Sequence, residues 1–226
     1  MHGSRHQFHE DLRELEVKAL EGIDLVLGQL DRALESVRHE DVELAGLVVA
    51  GDEQIDALYL RIQEGVLSVI ARQTPVAGDL RLVAALLHII RCVERMGDQC
   101  ANIAKLVPLS VEKGRQDEKI LDAIERMGKL ARDQLTEAQE VFKTRHVSLA
   151  KYLIAEDVGI GRLNREIVNR AVEFGDDVEA REWAMFMVLV ARALERISEN
   201  ALDIAEQTVF IVTGVFRGVG AVSQRT

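Results

Sequence analysis

Two fifteen-residue segments, 91–105 (RCVERMGDQCANIAK) and 192–206 (RALERISENALDIAE), repeat one pattern in a chain of 226 residues. In each, an Arg is followed three residues later by a Glu, then by another acid four further on, then by Asn102 or Asp203 after four more. At about 100° per residue, Arg91, Glu94, Asp98 and Asn102 fall on one helix within a stripe roughly 80° wide. Arg192, Glu195, Glu199 and Asp203 repeat that geometry. Opposite the first stripe run Leu86, Ile89, Val93, Met96, Cys100 and Ile103, and opposite the second Leu194, Ile197, Ala201 and Ile204. A core accounts for a duplicated apolar face. A duplicated acidic stripe needs another reason, because like charges four apart on a helix repel by about 0.2–0.5 kcal/mol per pair unless a cation binds between them.

Only 2 Pro and 4% aromatic residues, with Ala, Leu, Glu and Arg at helical spacing, predict an all-α protein, and strand-like alternation bounded by turn residues is absent. A formal net charge of −10 and a pI of about 5.2, without a basic patch, argue against direct binding to nucleic acid. The longest apolar runs, 83–90 and 183–191, are too short to span a bilayer, and the N-terminus, MHGSRHQFHEDL, does not read as a signal peptide. Cys92 and Cys100 lie eight residues apart on one predicted helix, about 12 Å along its axis, so they cannot pair and read as free buried thiols of a reducing cytoplasm.

Periodicity predicts helices over about 7–37 and 42–72, a stop at Gln73, Thr74 and Pro75, and a third helix over about 76–108 with Pro75 suited to its first turn. Residues 108–116 read as a linker, after which the pattern restarts: helices over about 117–142 and 148–174, an acidic turn at 175–179, and a last helix from Ala180. Residues 44–62 match 149–167 without a gap, setting Asp52 on Asp157, Ile55 on Ile160, Leu58 on Leu163 and Ile62 on Ile167. The expected fold is two tandem three-helix bundles related by a pseudo-twofold, spanning 1–108 and 117–214, with 215–226 as a flexible tail.

Acids four residues apart recur as Asp52 with Asp56, Glu94 with Asp98, and Glu195 with Glu199, while Asp157 meets Gly161 where a fourth pair is expected. Second and third helices of an antiparallel bundle are neighbours, so two pairs can supply four carboxylates. Such oxygen-rich sets suit hard or borderline cations, Mg, Mn, Fe or Ca. The histidine that di-iron carboxylate bundles add three residues after a Glu is missing. A metal-free alternative stays open, in which Arg91, Arg95, Arg192 and Arg196 neutralise the acids as exposed ion pairs. No Ser–His–Asp set, Gly-rich phosphate loop or metalloprotease spacing is present, and His88, inside an apolar run, reads as a packed or partly buried histidine rather than a base, so the chain is not expected to be an enzyme.

The run 73–105, with Pro75, the AGDLR segment 77–81 and the ERMGDQCANIA segment 94–104, resembles the signature of the PhoU family of phosphate-uptake regulators, and VVAGDEQIDAL (48–58) is similar to the family's DxxID segment. The resemblance extends over about 8–210. It implies a cytoplasmic, two-bundle all-α protein whose acidic motifs bind multinuclear iron or zinc in some members, with Mg or Mn as alternatives. Asp52, Asp56, Glu94 and Asp98 are the implied ligands in the first half and Asp157, Glu195 and Glu199 in the second. The second copy departs from the family at Ser198, Glu199, Asp203 and Gly161, so the first half is expected to hold metal better. The implied role is negative regulation of phosphate uptake and of the phosphate-starvation response, as an adaptor between the ATPase subunit of the phosphate ABC transporter and a membrane sensor histidine kinase. A homodimer is a further expectation. The competing reading is a carboxylate bundle that stores metal or uses it catalytically.

Overall fold

In a computed structural model the chain is all-helical among the described residues, 2–72, 75–114, 116–156 and 159–215. The elements are α1 (His2–His39), α2 (Val42–Arg72), α3 (Gly78–Val111), α4 (Glu118–Thr144), α5 (Val147–Ala155), α6 (Ile160–Val172) and α7 (Val178–Thr213). The first bundle is α1, α2 and α3 packed mutually. In the second, α5 and α6 together occupy the place of α2 and pack with α4 against α7. The expected pair of three-helix bundles is present, with one of its six rods interrupted.

Local chemistry sets the ends of these helices. Glu40 turns left-handed at φ 54, and the Asp41 carboxylate accepts from the Leu44 amide at 2.8 Å, so α2 starts as the sequence predicts. Asp117 and Asp177 cap α4 and α7 in the same way, accepting from Ile120 and Ala180. Pro75 falls before α3 rather than in its first turn, because Ala77 adopts φ 47 and the helix opens at Gly78.

Two boundaries differ from expectation for physical reasons. Helix α3 runs through Pro108 to Val111 instead of ending in a linker at 108. The proline costs one backbone bond, to the Ala104 carbonyl, but Val107 and Ser110 are buried and Val111 packs on the core, which carries the helix a turn further. The helix expected over 148–174 is broken between Ala155 and Ile160, where Gly159 takes φ 81 as the residue before α6. A β-carbon is disfavoured in that left-handed conformation, and glycine is free to adopt it.

Among the described residues the most extensive interface joins α3 to α7, the last helix of each bundle. One continuous apolar core includes Ile89, Val93 and Met96 of α3 and Val190, Leu194 and Ile197 of α7. A polar seam between α1 and α4 completes the junction. Arg132 meets Asp31 at 2.7 Å, Gln139 donates to Asp24 at 2.6 Å, and the half-buried Arg145 binds Glu16 while its guanidinium lies 4.3 Å above the Phe142 ring. Both cysteines are free and buried.

Candidate metal centre

Asp52 and Asp56 on α2 and Glu94 and Asp98 on α3 face one another across the α2–α3 crossing. Gly97 permits the close approach: a β-carbon there would lie 2.9 Å from Asp52 Oδ1, 2.9 Å from Ile55 Cδ1 and 3.1 Å from Ile55 Cγ2. Burial, followed by the charges of Asp56, Asp98 and Glu94, pushes the Asp52 carboxyl up to about 6. Glu94 is raised as well, by burial first and then by Asp98. Among the described residues four buried side-chain oxygens lack a hydrogen-bond partner, and two of them, Asp52 Oδ1 and Glu94 Oε2, belong to this set. Arg91 stands 3.7 Å from Glu94, too far for a hydrogen bond, and also reaches Tyr59. A mutually repelling carboxylate set, with Asp52 and Glu94 half-buried, Asp56 and Asp98 exposed and two oxygens unsatisfied, has the donor chemistry for a hard or borderline cation.

Raised carboxyl pKa values have a thermodynamic signature. Folding favours protonated Asp52, so its contribution to stability is fully present below the unfolded value near 3.8 and is lost as pH rises through about 6. Chelator-treated protein is therefore expected to gain stability between pH 7 and pH 4.5 relative to an Asp52→Asn variant. The difference is about 1 kcal/mol once the exposed part of the side chain is discounted for solvent screening. Urea unfolding of both proteins across that range measures it, and parallel curves would show that Asp52 is not strained.

The second copy is built differently. Glu195 on α7 accepts from Asn164 Nδ2 of α6 at 3.0 Å and pairs with Arg192 on its own helix. Glu195 is thus held by a direct arginine contact, whereas in the first copy Arg91 keeps a longer ion pair with Glu94, at 3.7 Å. Glu199 is exposed, as is its counterpart Asp98, and a β-carbon on Gly161 would meet Glu195 Oε1 at 3.8 Å, an ordinary contact. Asp157 lies outside the described residues. Ser198 replaces Gly97 at the helix crossing, is buried and binds Gln134 of α4.

The structure also assembles a group that the sequence pattern did not suggest. His88 is exposed rather than packed, and with Cys92 and Asp203 it forms a cluster whose ligand atoms all lie within 4.8 Å of one another. Asp203 belongs to the acidic stripe by periodicity, but it sits at the α3–α7 interface rather than facing α6. The four carboxylates of the first copy do not converge so tightly.

The family model for the PhoU domain matches this chain twice, over residues 20–107 and 124–208. The chain belongs to the PhoU family. Among PhoU relatives it is 28% identical over 218 residues to phosphate-specific transport system accessory protein PhoU homolog 2 of Mycobacterium tuberculosis, covering 94% of this chain and 99% of that protein. It is 27% identical to phosphate-specific transport system accessory protein PhoU of Edwardsiella tarda, with 95% and 88% covered. The crystal structure of the phosphate transport system regulatory protein PhoU from Streptococcus pneumoniae superposes with a TM-score of 0.84 at 27% identity, over 92% of this chain and 98% of that one. PhoU from Pseudomonas aeruginosa gives a TM-score of 0.86 at 25% identity, over 92% and 100%. Among the described residues no helix is long and apolar enough to cross a membrane.

Proposed function

We propose that this chain is an accessory protein of a phosphate-specific transport system that restrains phosphate uptake and the phosphate-starvation response from the cytoplasm, without catalysing a reaction. The observation that carries the reading is the PhoU domain matched in both halves of one chain, together with relatives named as phosphate-specific transport accessory proteins over nearly their whole length. The partners of this reading are the ATPase subunit of the phosphate ABC transporter and a membrane sensor histidine kinase, engaged through exposed helical faces rather than through nucleic acid. The formal charge of −10 fits regulation by protein contact.

Metal enters the proposal through the first bundle. Asp52, Asp56, Glu94 and Asp98 would hold iron or zinc, with Mg or Mn as alternatives. When bound, the cation would neutralise carboxylates that otherwise repel, tying α2 to α3. Two orphaned oxygens support this for the first copy, and the Asn164 and Arg192 contacts of Glu195 support weaker occupancy of the second.

Deleting the gene and restoring it on a plasmid tests the regulatory reading. Loss is expected to raise phosphate uptake in phosphate-rich medium and to switch on phosphate-responsive transcription, both reversed on restoration. Uptake and transcription that stay unchanged, with metal found in the purified protein, would instead make this a carboxylate metal buffer.

A further inference from the structure

We infer that His88, Cys92 and Asp203 form a second metal site, for Zn²⁺, at the seam between the two bundles and separate from the carboxylate set. His88 and Cys92 are one turn apart on α3, and Asp203 reaches them from α7, so the three donors come from both repeats. Cys92 and Glu94 are two residues apart, hence about 200° around the helix, so this site and the carboxylates occupy different faces of α3.

The donor set is the first argument. One thiolate, one imidazole and one carboxylate suit zinc, which takes three protein ligands and keeps a fourth position open when the site must stay accessible. Zinc–ligand bonds of about 2.0–2.3 Å at tetrahedral angles put neighbouring donors about 3.3–3.7 Å apart. A cluster already within 4.8 Å closes to that spacing by small side-chain rotations. Cys92 is buried, Asp203 half-buried and His88 exposed, so the fourth position faces solvent and water can fill it.

The pseudo-twofold supplies the second argument. The positions equivalent to His88, Cys92 and Asp203 are Leu189, Ala193 and Asn102, which offer neither thiolate, imidazole nor carboxylate. The cluster is thus no by-product of the duplicated scaffold, because the equivalent positions on the other side carry two apolar residues and an amide. Burial raises the Asp203 carboxyl against the pull of its α3 neighbours, among them the exposed Arg95, and burial likewise pushes the Cys92 thiol up, so without metal it stays protonated. As the sulfur–zinc bond forms, Cys92 releases its proton to solvent, one per zinc bound, and nothing is oxidised or reduced. Zinc would fasten the last helix of one repeat to the last helix of the other.

Cobalt reports the site directly, since only a cysteine ligand gives a thiolate-to-cobalt charge-transfer band. Full-length protein stripped with chelator and titrated with Co²⁺ is expected to show that band, saturating at one ion per chain and displaced by Zn²⁺. The band should vanish in Cys92→Ser and persist in Cys100→Ser, whose buried thiol lies on the same helix. His88→Gln, at an exposed position that the fold does not depend on, should weaken cobalt binding at least tenfold. No band in the wild type, a band that survives Cys92→Ser, or unchanged affinity in His88→Gln would overturn the site. None of these outcomes bears on phosphate regulation, which the gene deletion tests separately.

Discussion

Trp183→Ala is expected to cost about 3–5 kcal/mol, the largest loss from any single side chain here. Trp183 is the sole tryptophan, 2% exposed, and the bulkiest fully buried residue of the chain. It stands in the second turn of α7, the helix on which α4, α5 and α6 all pack. The arm opposite is fragile, since α5 has 9 residues and α6 has 13. Helices that short are marginal in water and depend on tertiary contact for their stability. A cavity under the start of α7 removes support where local propensity cannot replace it. The equivalent position in the first bundle is Leu82, only half-buried, in a bundle whose second helix is the continuous 31-residue α2, so Leu82→Ala should cost less than half as much. Urea unfolding followed by far-ultraviolet circular dichroism compares the two. Equal losses would mean that the interrupted arm is no weaker than the continuous one.

Periodicity made most of the architecture legible. Both ends of α2 are written in the chain, because Asp41 is a strong cap and the apolar stripe simply stops at Arg72. Proline signals were less faithful. Pro108 marked a helix end by its own chemistry, but burial of the residues around it overrode that preference, and burial is a tertiary property. The break before α6 had a local signal in Gly159 and Gly161, two residues apart, which the uninterrupted match to the first repeat obscured. Of the candidate site, α2 and α3 neighbours could be paired from the sequence because short connections force antiparallel packing. Neither the closeness that Gly97 allows nor the Asn164 contact of Glu195 could be read there. Asp203 with Cys92 was beyond reach altogether, since periodicity places a residue on a face and does not say which distant helix covers that face.

Removing Glu94 and Asp98 together, both to Ala, should separate ligand from scaffold through two effects of opposite sign. With metal present, losing two of four carboxylates should weaken binding by on the order of 100-fold or more, since even outer-shell partners of metal ligands are worth about 10–100-fold each. Elemental analysis after purification without chelator would then find that metal reduced to background in the first bundle. In chelator the same variant should be more stable than the wild type at neutral pH. Glu94 and Asp98 are among the charges that raise Asp52, and Glu94 Oε2 is one of the unsatisfied buried oxygens. The matched pair Glu195→Ala with Glu199→Ala should behave in the reverse way. It removes the acceptor for Asn164 and the partner of Arg192, so it should lose a little stability and little metal. If the first pair proved stabilising in chelator, or both pairs lowered metal content alike, the assignment of the main metal centre to the first bundle would fall.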